Sequence, residues 1–246
     1  RLVLVAATLS PLLIVSLAGL FLARSIKLPR YRVGTFLQCG FHGNLGYIGL
    51  AVAYYFLGDD GLTRASILAG FVMLLQNFLA VVALSKFNSE PKRKLSVFAL
   101  LRRILLNPVI ISAMAGMACS LSGLHLPVIL DRSLSILSGM ALPLALMVIG
   151  TSVSFAQMQQ QLLLTTLISF LKLILLPALG LTFFYFLGFE RVEYLPALIL
   201  LASPTATVSY VMASEMAGDA SLATAAISVT TLFSAVTFVL WLGVGS

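Results

Sequence analysis

Charge is what this chain has least of. Asp, Glu, Lys and Arg make up 9% of its 246 residues, against about 25% in an ordinary soluble domain. So few charges could not cover a soluble surface of this size. Hydrophobic residues account for 60% and mean hydropathy is +1.09. These values exclude a water-soluble enzyme, a DNA-binding module and a disordered tail, and no nucleic-acid partner is expected. Cysteine is scarce as well. Cys39 and Cys119 both lie in apolar segments, so neither a disulfide framework nor a zinc site is expected, and no cofactor is implied. The strict alternation of a membrane β-barrel is absent.

What the chain does have is long apolar runs. A bilayer core of about 30 Å needs about 20 such residues per helix. Eight stretches qualify, at roughly 2–23, 34–57, 62–87, 96–122, 132–155, 162–187, 193–216 and 219–244, so the expectation is an all-α integral protein whose main partner is the lipid bilayer. The net charge of +7 is concentrated. Arg24, Lys27, Arg30 and Arg32 follow the first span, and Lys86, Lys92, Arg93, Lys94, Arg102 and Arg103 surround the loop after the third. Both groups fall on one side, cytoplasmic by the positive-inside rule. The chain is therefore expected in the cell's inner (plasma) membrane with Arg1 and Ser246 outside.

A self-match organises these spans. Residues 58–67 and 218–227 both read G-D-x-x-L-x-x-A-x-I, at an offset of 160 residues from Gly58 to Gly218. Part of this is a shared corner, in which Gly ends one helix and Asp59 or Asp219 caps the next. The matched Leu, Ala and Ile beyond it indicate a repeat. The offset carries the second span onto the seventh. Five spans is an odd number, so the copies run in opposite directions, as in the inverted repeats of many secondary transporters. The first three spans match the sixth to eighth. The fourth and fifth have no partner, and two further helices are expected ahead of Arg1, ten in a five-plus-five repeat.

Both copies contain a helix breaker at the same place. The second span holds four glycines in the ten residues from Gly40 to Gly49, each costing about 1 kcal/mol in a helix relative to Ala. A break near Gly43 is expected, with Asn44 capping the restart. The seventh span reads Ala202-Ser203-Pro204-Thr205-Ala206-Thr207, with Ser203 expected as N-cap and Pro204 at the first helical position. Asn44 and Pro204 are themselves 160 residues apart, and each break falls about ten residues from the end of its span, near mid-bilayer. Two half-helices starting there present free N–H groups and positive dipole ends. Together they make a site for an anion, most simply a carboxylate. Asn44, Leu45 and Gly46 in one copy and Ser203, Pro204, Thr205, Thr207 and Ser209 in the other are the candidate binding residues.

The G-N-x-G break, the S-P-x-A break and the G-D-x-x-L corners resemble the auxin efflux carrier family of permeases, over essentially the whole chain. The resemblance implies ten helices in a five-plus-five inverted repeat, two broken crossover helices, a homodimer and elevator-like motion. Plant members carry Asn-Pro-Asn where this chain has Ser203-Pro204-Thr205. Bacterial members are linked with dicarboxylates such as malonate and malate. In family terms residues 1–87 and 156–246 form the transport part, 97–155 the scaffold and dimer contact, and 88–96 a basic cytoplasmic loop.

Lys172 is the only charge near the middle of any span, about 15 Å into the sixth. An intramembrane Lys is by default a functional candidate, its counter-ion being either the substrate or carbonyls released by a broken helix. The competing expectation is that it snorkels to the surface. Gln76 and Asn77 either line a cavity or bind an ion, or they tie helices together. His42 either carries protons or is a hydrogen-bonded structural residue. Thr224, Ser228 and Thr231 form a one-face stripe suited to helix packing, and Asn107-Pro108 and Pro143 are expected to kink their helices. Enzymes are the rival class. His42 and His125 lack the H-E-x-x-H spacing and no G-x-S-x-G elbow exists. Asp59 and Asp219 would lie on opposite membrane faces, which excludes a paired-carboxylate protease. A secondary carrier of a small organic anion, working by alternating access, is the expected function. A Na⁺-coupled symporter of the bile-acid type and an anion channel are the alternatives.

Overall fold

The computed structural model describes residues 2–87, 126–151 and 161–244, with isolated positions at 111–112, 115–116, 118–119, 122–123 and 159. Most of the fourth expected span, the basic residues Lys92 to Arg103, Asn107-Pro108 and His125 lie outside the described residues. All the regular elements described are helical. In order they are α1 (Leu2–Ser25), α2 (Arg30–Phe41), a π turn at Leu45–Gly49, α3 (Leu50–Phe87), α4 (Val128–Thr151), α5 (Leu162–Ser169), a π segment at Phe170–Leu175, α6 (Leu176–Phe186), α7 (Arg191–Ala202), α8 (Val208–Glu215) and α9 (Ala220–Gly243).

Four of these stretches are long and apolar enough to cross a membrane: Leu2–Ser25, Leu45–Phe87, Leu162–Phe186 and Ala220–Gly243. The 43-residue stretch Leu45–Phe87 is two helices joined at Gly58, whose φ of 71° lies in the left-handed region that favours glycine. The seventh expected span is divided. α7 has 12 residues and α8 has 8, about 18 and 12 Å long at 1.5 Å per residue, so neither crosses alone.

The contacts separate the chain into two units. One comprises Arg1–Lys94 with Ser152–Ser246, and the other Leu95–Thr151. The second unit contains α4, with Pro143 inside it. In the first unit every residue of α7 from Leu195 to Ala202 is buried, and so is every residue of α2 from Val33 to Phe41. The two halves that lead into the breaks are therefore apolar all round and central. Large side chains such as Leu17, Phe21, Phe78 and Val239 are exposed on the outer helices, as bilayer contact requires.

The helical prolines reveal how this unit satisfies its backbone. Proline has no N–H, so the carbonyl four residues earlier loses its helical partner. Inside a bilayer that loss must be made good by protein. Four such cases occur among the described residues of this unit, three within helices and Pro204 just past the end of α7. Pro11 frees the Ala7 carbonyl, which accepts from Ser10 Oγ at 3.4 Å. Pro177 frees Leu173, which accepts from the indole Nε1 of Trp241 at 2.8 Å. Pro196 frees Val192, which accepts from an Arg64 guanidinium N–H at 3.3 Å. Pro204 frees Leu200, which accepts from Ser203 Oγ at 2.6 Å.

The repeated corners use different chemistry. At the first, Gly58 supplies the left-handed residue. At the second, the left-handed residue is Ala217, with φ of 55°, which corrects the expectation for Gly218. Gly218 is there for space: a Cβ on it would lie 2.6 Å from Thr35 Oγ1. Asp219 does cap α9, accepting from Leu222 N at 2.9 Å. It also pairs with Arg32 Nε at 2.7 Å, and the same guanidinium donates to Gln161 Oε1. This corner is thereby clamped to the start of α2. In the other copy, Arg64 clamps the first corner to the start of α7.

Replacing Trp241 with Phe removes the indole N–H that donates to the buried Leu173 carbonyl. A destabilisation of about 1–2 kcal/mol is expected, read as a lower thermal midpoint in detergent. An unchanged midpoint would show that the carbonyl is satisfied another way.

Candidate functional site

The two interruptions, 42–44 and 203–207, meet in the first unit and exchange backbone hydrogen bonds. Gly43 and Thr205 form an isolated antiparallel bridge. Asn44 N–H donates to the Pro204 carbonyl at 2.7 Å, and Ala206 N–H donates to the His42 carbonyl at 2.9 Å. Each break therefore supplies partners that the other lacks. Four residues that would be unsatisfied in lipid become a two-stranded fragment of sheet inside a helical protein.

Side chains complete the junction. The Cys39 carbonyl would pair with Gly43 N–H in an unbroken helix, and instead accepts from Thr205 Oγ1 at 2.8 Å. Gly43 is held by the carboxamide of Gln76 on α3, whose Oε1 accepts from Gly43 N at 3.0 Å and whose Nε2 donates to Gly43 O at 3.2 Å. Thr205 N–H donates to Thr230 Oγ1 on α9 at 3.1 Å. The Leu201 carbonyl, which has lost Thr205 N–H, accepts from Lys172 Nζ at 2.8 Å.

Lys172 is 1% exposed, so it does not snorkel. It sits in the π segment Phe170–Leu175, the kind of local distortion that frequently accompanies functional positions. Leu12, Phe41, Leu45, Gln76 and Leu201 close round it and leave no room for a water molecule. Its charge therefore reaches a ligand as a field and not by direct contact in this arrangement. Of the two partners the sequence suggests, the structure shows the released carbonyl.

Asn44 is the N-cap of the π turn, and its Oδ1 accepts from Tyr47 N–H at 3.3 Å. Its Nδ2 is buried with no partner among the described residues. Leu45 is buried, with its amide on the Gly43 carbonyl, while Gly46 is exposed. Ser203 departs from expectation. It ends α7 as the C-cap, and the second half-helix restarts at Val208 with Thr207 as its N-cap. Residues 204–206 are used for pairing with the first break, so the restart is delayed. Ser209, in the first turn of α8, is fully buried, and its Oγ is without a partner among the described residues.

Gln76 ties helices together. Asn77 donates to the Met73 carbonyl of its own helix at 2.8 Å. His42 is buried beside Gln38, with Nδ1 3.4 Å from Gln38 Nε2. On α9, Thr224 and Ser228 donate to carbonyls of their own helix. The residue that reaches the junction is Thr230, beside the stripe expected from spacing. Among the described residues no group of three His, Cys, Asp or Glu is placed to hold a metal ion. A cavity of about 680 Å³ lined by Tyr185, Phe186, Arg191 and Tyr194 touches none of the junction residues.

Helices long and apolar enough to cross a bilayer, with exposed apolar flanks, define a multi-pass membrane protein. The chain belongs to the membrane transport protein family, the auxin efflux carriers, whose model matches residues 2–242. It is similar to an "Uncharacterized transporter" of Methanothermobacter thermautotrophicus, with 26% identity over 198 residues, 80% of this chain and 63% of that protein. It is also similar to a "Putative malonate transporter" of Rhizobium meliloti, with 29% identity over 225 residues, 89% of this chain and 68% of that protein. A transporter of Methanocaldococcus jannaschii is 24% identical over 87% of this chain and 69% of its own length. The chain thus spans about two thirds of the length of these relatives.

Gly43 has no space for a side chain, since a Cβ would lie 2.7 Å from Ser203 Oγ and 3.2 Å from Lys172 Nζ. Gly43→Ala is expected to abolish transport, whereas Gly70→Ala on α3, whose Cβ would meet nothing within 4 Å, retains it. Equal flux through both variants in liposomes would contradict this account of the junction.

Proposed function

We propose that the chain is a secondary carrier of a small organic anion, a carboxylate of the dicarboxylate or auxin-like kind. The observation that carries this reading is the junction itself. It combines two interrupted helices, the buried Lys172, and Asn44 Nδ2 and Ser209 Oγ, which have no partner among the described residues. The starts of the π turn Leu45–Gly49 and of α8 are positive dipole ends, although the Leu45, Tyr47, Ser209 and Tyr210 amides are already paired, and Lys172 adds a positive charge when protonated. A bound carboxylate supplies the missing acceptors. Asn44, Gly46, Thr207 and Ser209 hold it, while Leu45, Ser203, Pro204 and Thr205 fix the shape of the site.

The interrupted helices are read as the crossover helices of an inverted repeat within a ten-helix, five-plus-five protein. The 160-residue sequence offset supports this, as does the exchange of clamps between copies, Arg64 to the start of α7 and Asp219 to the start of α2. The division of contacts into residues 1–94 with 152–246 and residues 95–151 supports a transport part moving past a scaffold in elevator fashion. The scaffold makes the contact of a homodimer. The clustered bases support an inner-membrane orientation with the termini outside. The malonate named for the Rhizobium relative makes malonate the first substrate to try.

Uptake of labelled malonate into liposomes is expected to saturate and to show counterflow. Imposed pH and Na⁺ gradients would identify any coupling ion. Asn44→Ala should weaken substrate affinity about tenfold, equivalent to about 1.4 kcal/mol. Lys172→Met, similar in size and uncharged, should lower transport while leaving a folded protein. Normal affinity in the first variant removes the proposed site, and normal transport in the second removes the role of the charge.

A further inference from the structure

The junction leaves one buried polar side chain without a role. Gln38 lies on α2, one turn before the first interruption, and is fully buried. Its Nε2 donates to the thioether of Met212 on α8 at 3.2 Å and lies 3.4 Å from His42 Nδ1. A thioether accepts but cannot donate, which turns the amide nitrogen toward Met212 and the oxygen away. That Oε1 is buried and bonded to nothing among the described residues, as is Ser209 Oγ.

Position brings these two orphans to one interface. Gln38 lies on α2 four residues before its C-cap His42, and Ser209 and Met212 are three apart on one face of α8. The Gln38–Met212 bond sets the faces against each other, and the bond from Ala206 N to the His42 carbonyl ties the start of α8 to the end of α2. Buried polar groups without partners are uncommon and call for an explanation. Here three of them, Asn44 Nδ2, Ser209 Oγ and Gln38 Oε1, flank one junction. The first can only donate, the hydroxyl can do either, and the last can only accept.

We infer that Gln38 is a specificity-determining residue that reads a hydrogen-bond donor on the transported anion. The inference rests on the anion reading above. The substrate's carboxylate accepts from Asn44 Nδ2 and the Ser209 hydroxyl. A separate O–H or N–H of the same molecule donates to Gln38 Oε1. The ligand class is a monoanion that carries its own donor, such as a hydroxy acid or a half-protonated diacid. A plain alkyl carboxylate leaves the Gln38 oxygen unpaired. A second ionised carboxylate there sets acceptor against acceptor. Sites built to pair a substrate hydroxyl reject the analogue lacking it more strongly than apolar pockets reject a missing methylene.

Lactate and propionate differ by one hydroxyl and serve as the probes, with malonate as a third anion. Calorimetric titration of the purified full chain is expected to show lactate binding at least tenfold more tightly than propionate. In Gln38→Leu this preference disappears while propionate affinity is kept. Equal or tighter binding of propionate by the wild type overturns the role of Gln38 and leaves the anion reading standing. Binding of none of the three carboxylates overturns the anion reading and this inference with it. The wild-type comparison decides the question even if Gln38→Leu does not fold.

Discussion

A main-chain amide placed in hydrocarbon must find its partner within the protein, because an unpaired group there costs several kcal/mol. Both helix interruptions of this chain obey that constraint by becoming each other's partner. The amide of Asn44 goes to the carbonyl of Pro204, and the amide of Ala206 goes to that of His42. The pairing determines most of what surrounds it. Gly43 must be bare because Ser203 and Lys172 crowd it. Gln76 must be an amide because Gly43 needs a donor and an acceptor from one side chain. Thr230 must present a hydroxyl because Thr205 N–H has turned away from its own helix.

Lys172 illustrates how structural and electrostatic roles coincide. Its Nζ satisfies the Leu201 carbonyl released by the second break, and the same atom, when protonated, places a positive charge beside Gly43 in the first break. A neutral donor could do the first task only. The charge is costly to insert, and the π segment that carries it is a local departure from regular helix. Both features are placed where the proposed anion would repay them through attraction in a medium of low dielectric constant.

Much of the architecture was legible in the residues. Apolar runs marked α1, α9 and the Leu162–Phe186 stretch to within a few residues, because length and composition alone decide whether a segment prefers lipid. Gly43 and Pro204 marked the interruptions, because backbone chemistry is local. The role of Ser203 was not legible. A proline usually announces a helix start, and only the pairing of residues 204–206 with the other break shows why the restart waits until Val208. Gln38 and Thr230 carried no local signal, since their importance comes from partners 174 and 25 residues away. Spacing on α9 grouped Thr224, Ser228 and Thr231 as a helix-packing stripe, and Thr230, which reaches the junction, lies outside it.

The proline carbonyls also bear on how the chain is made. Ser10 and Ser203 rescue carbonyls on their own turn, and Arg64 precedes the carbonyl it serves. The Leu173 carbonyl accepts from Trp241, 68 residues later. Gly43 waits 33 residues for Gln76, and the amide of Asn44 waits for Pro204 in the far copy of the self-matching sequence. During synthesis the amide of Asn44 and the carbonyl of His42, in the first interruption, therefore lack their partners until residues 204–206 emerge. Biogenesis must shelter that segment, in water or in the insertion machinery, until its counterpart arrives. The assembly of the first half is thus tied to the delivery of the second.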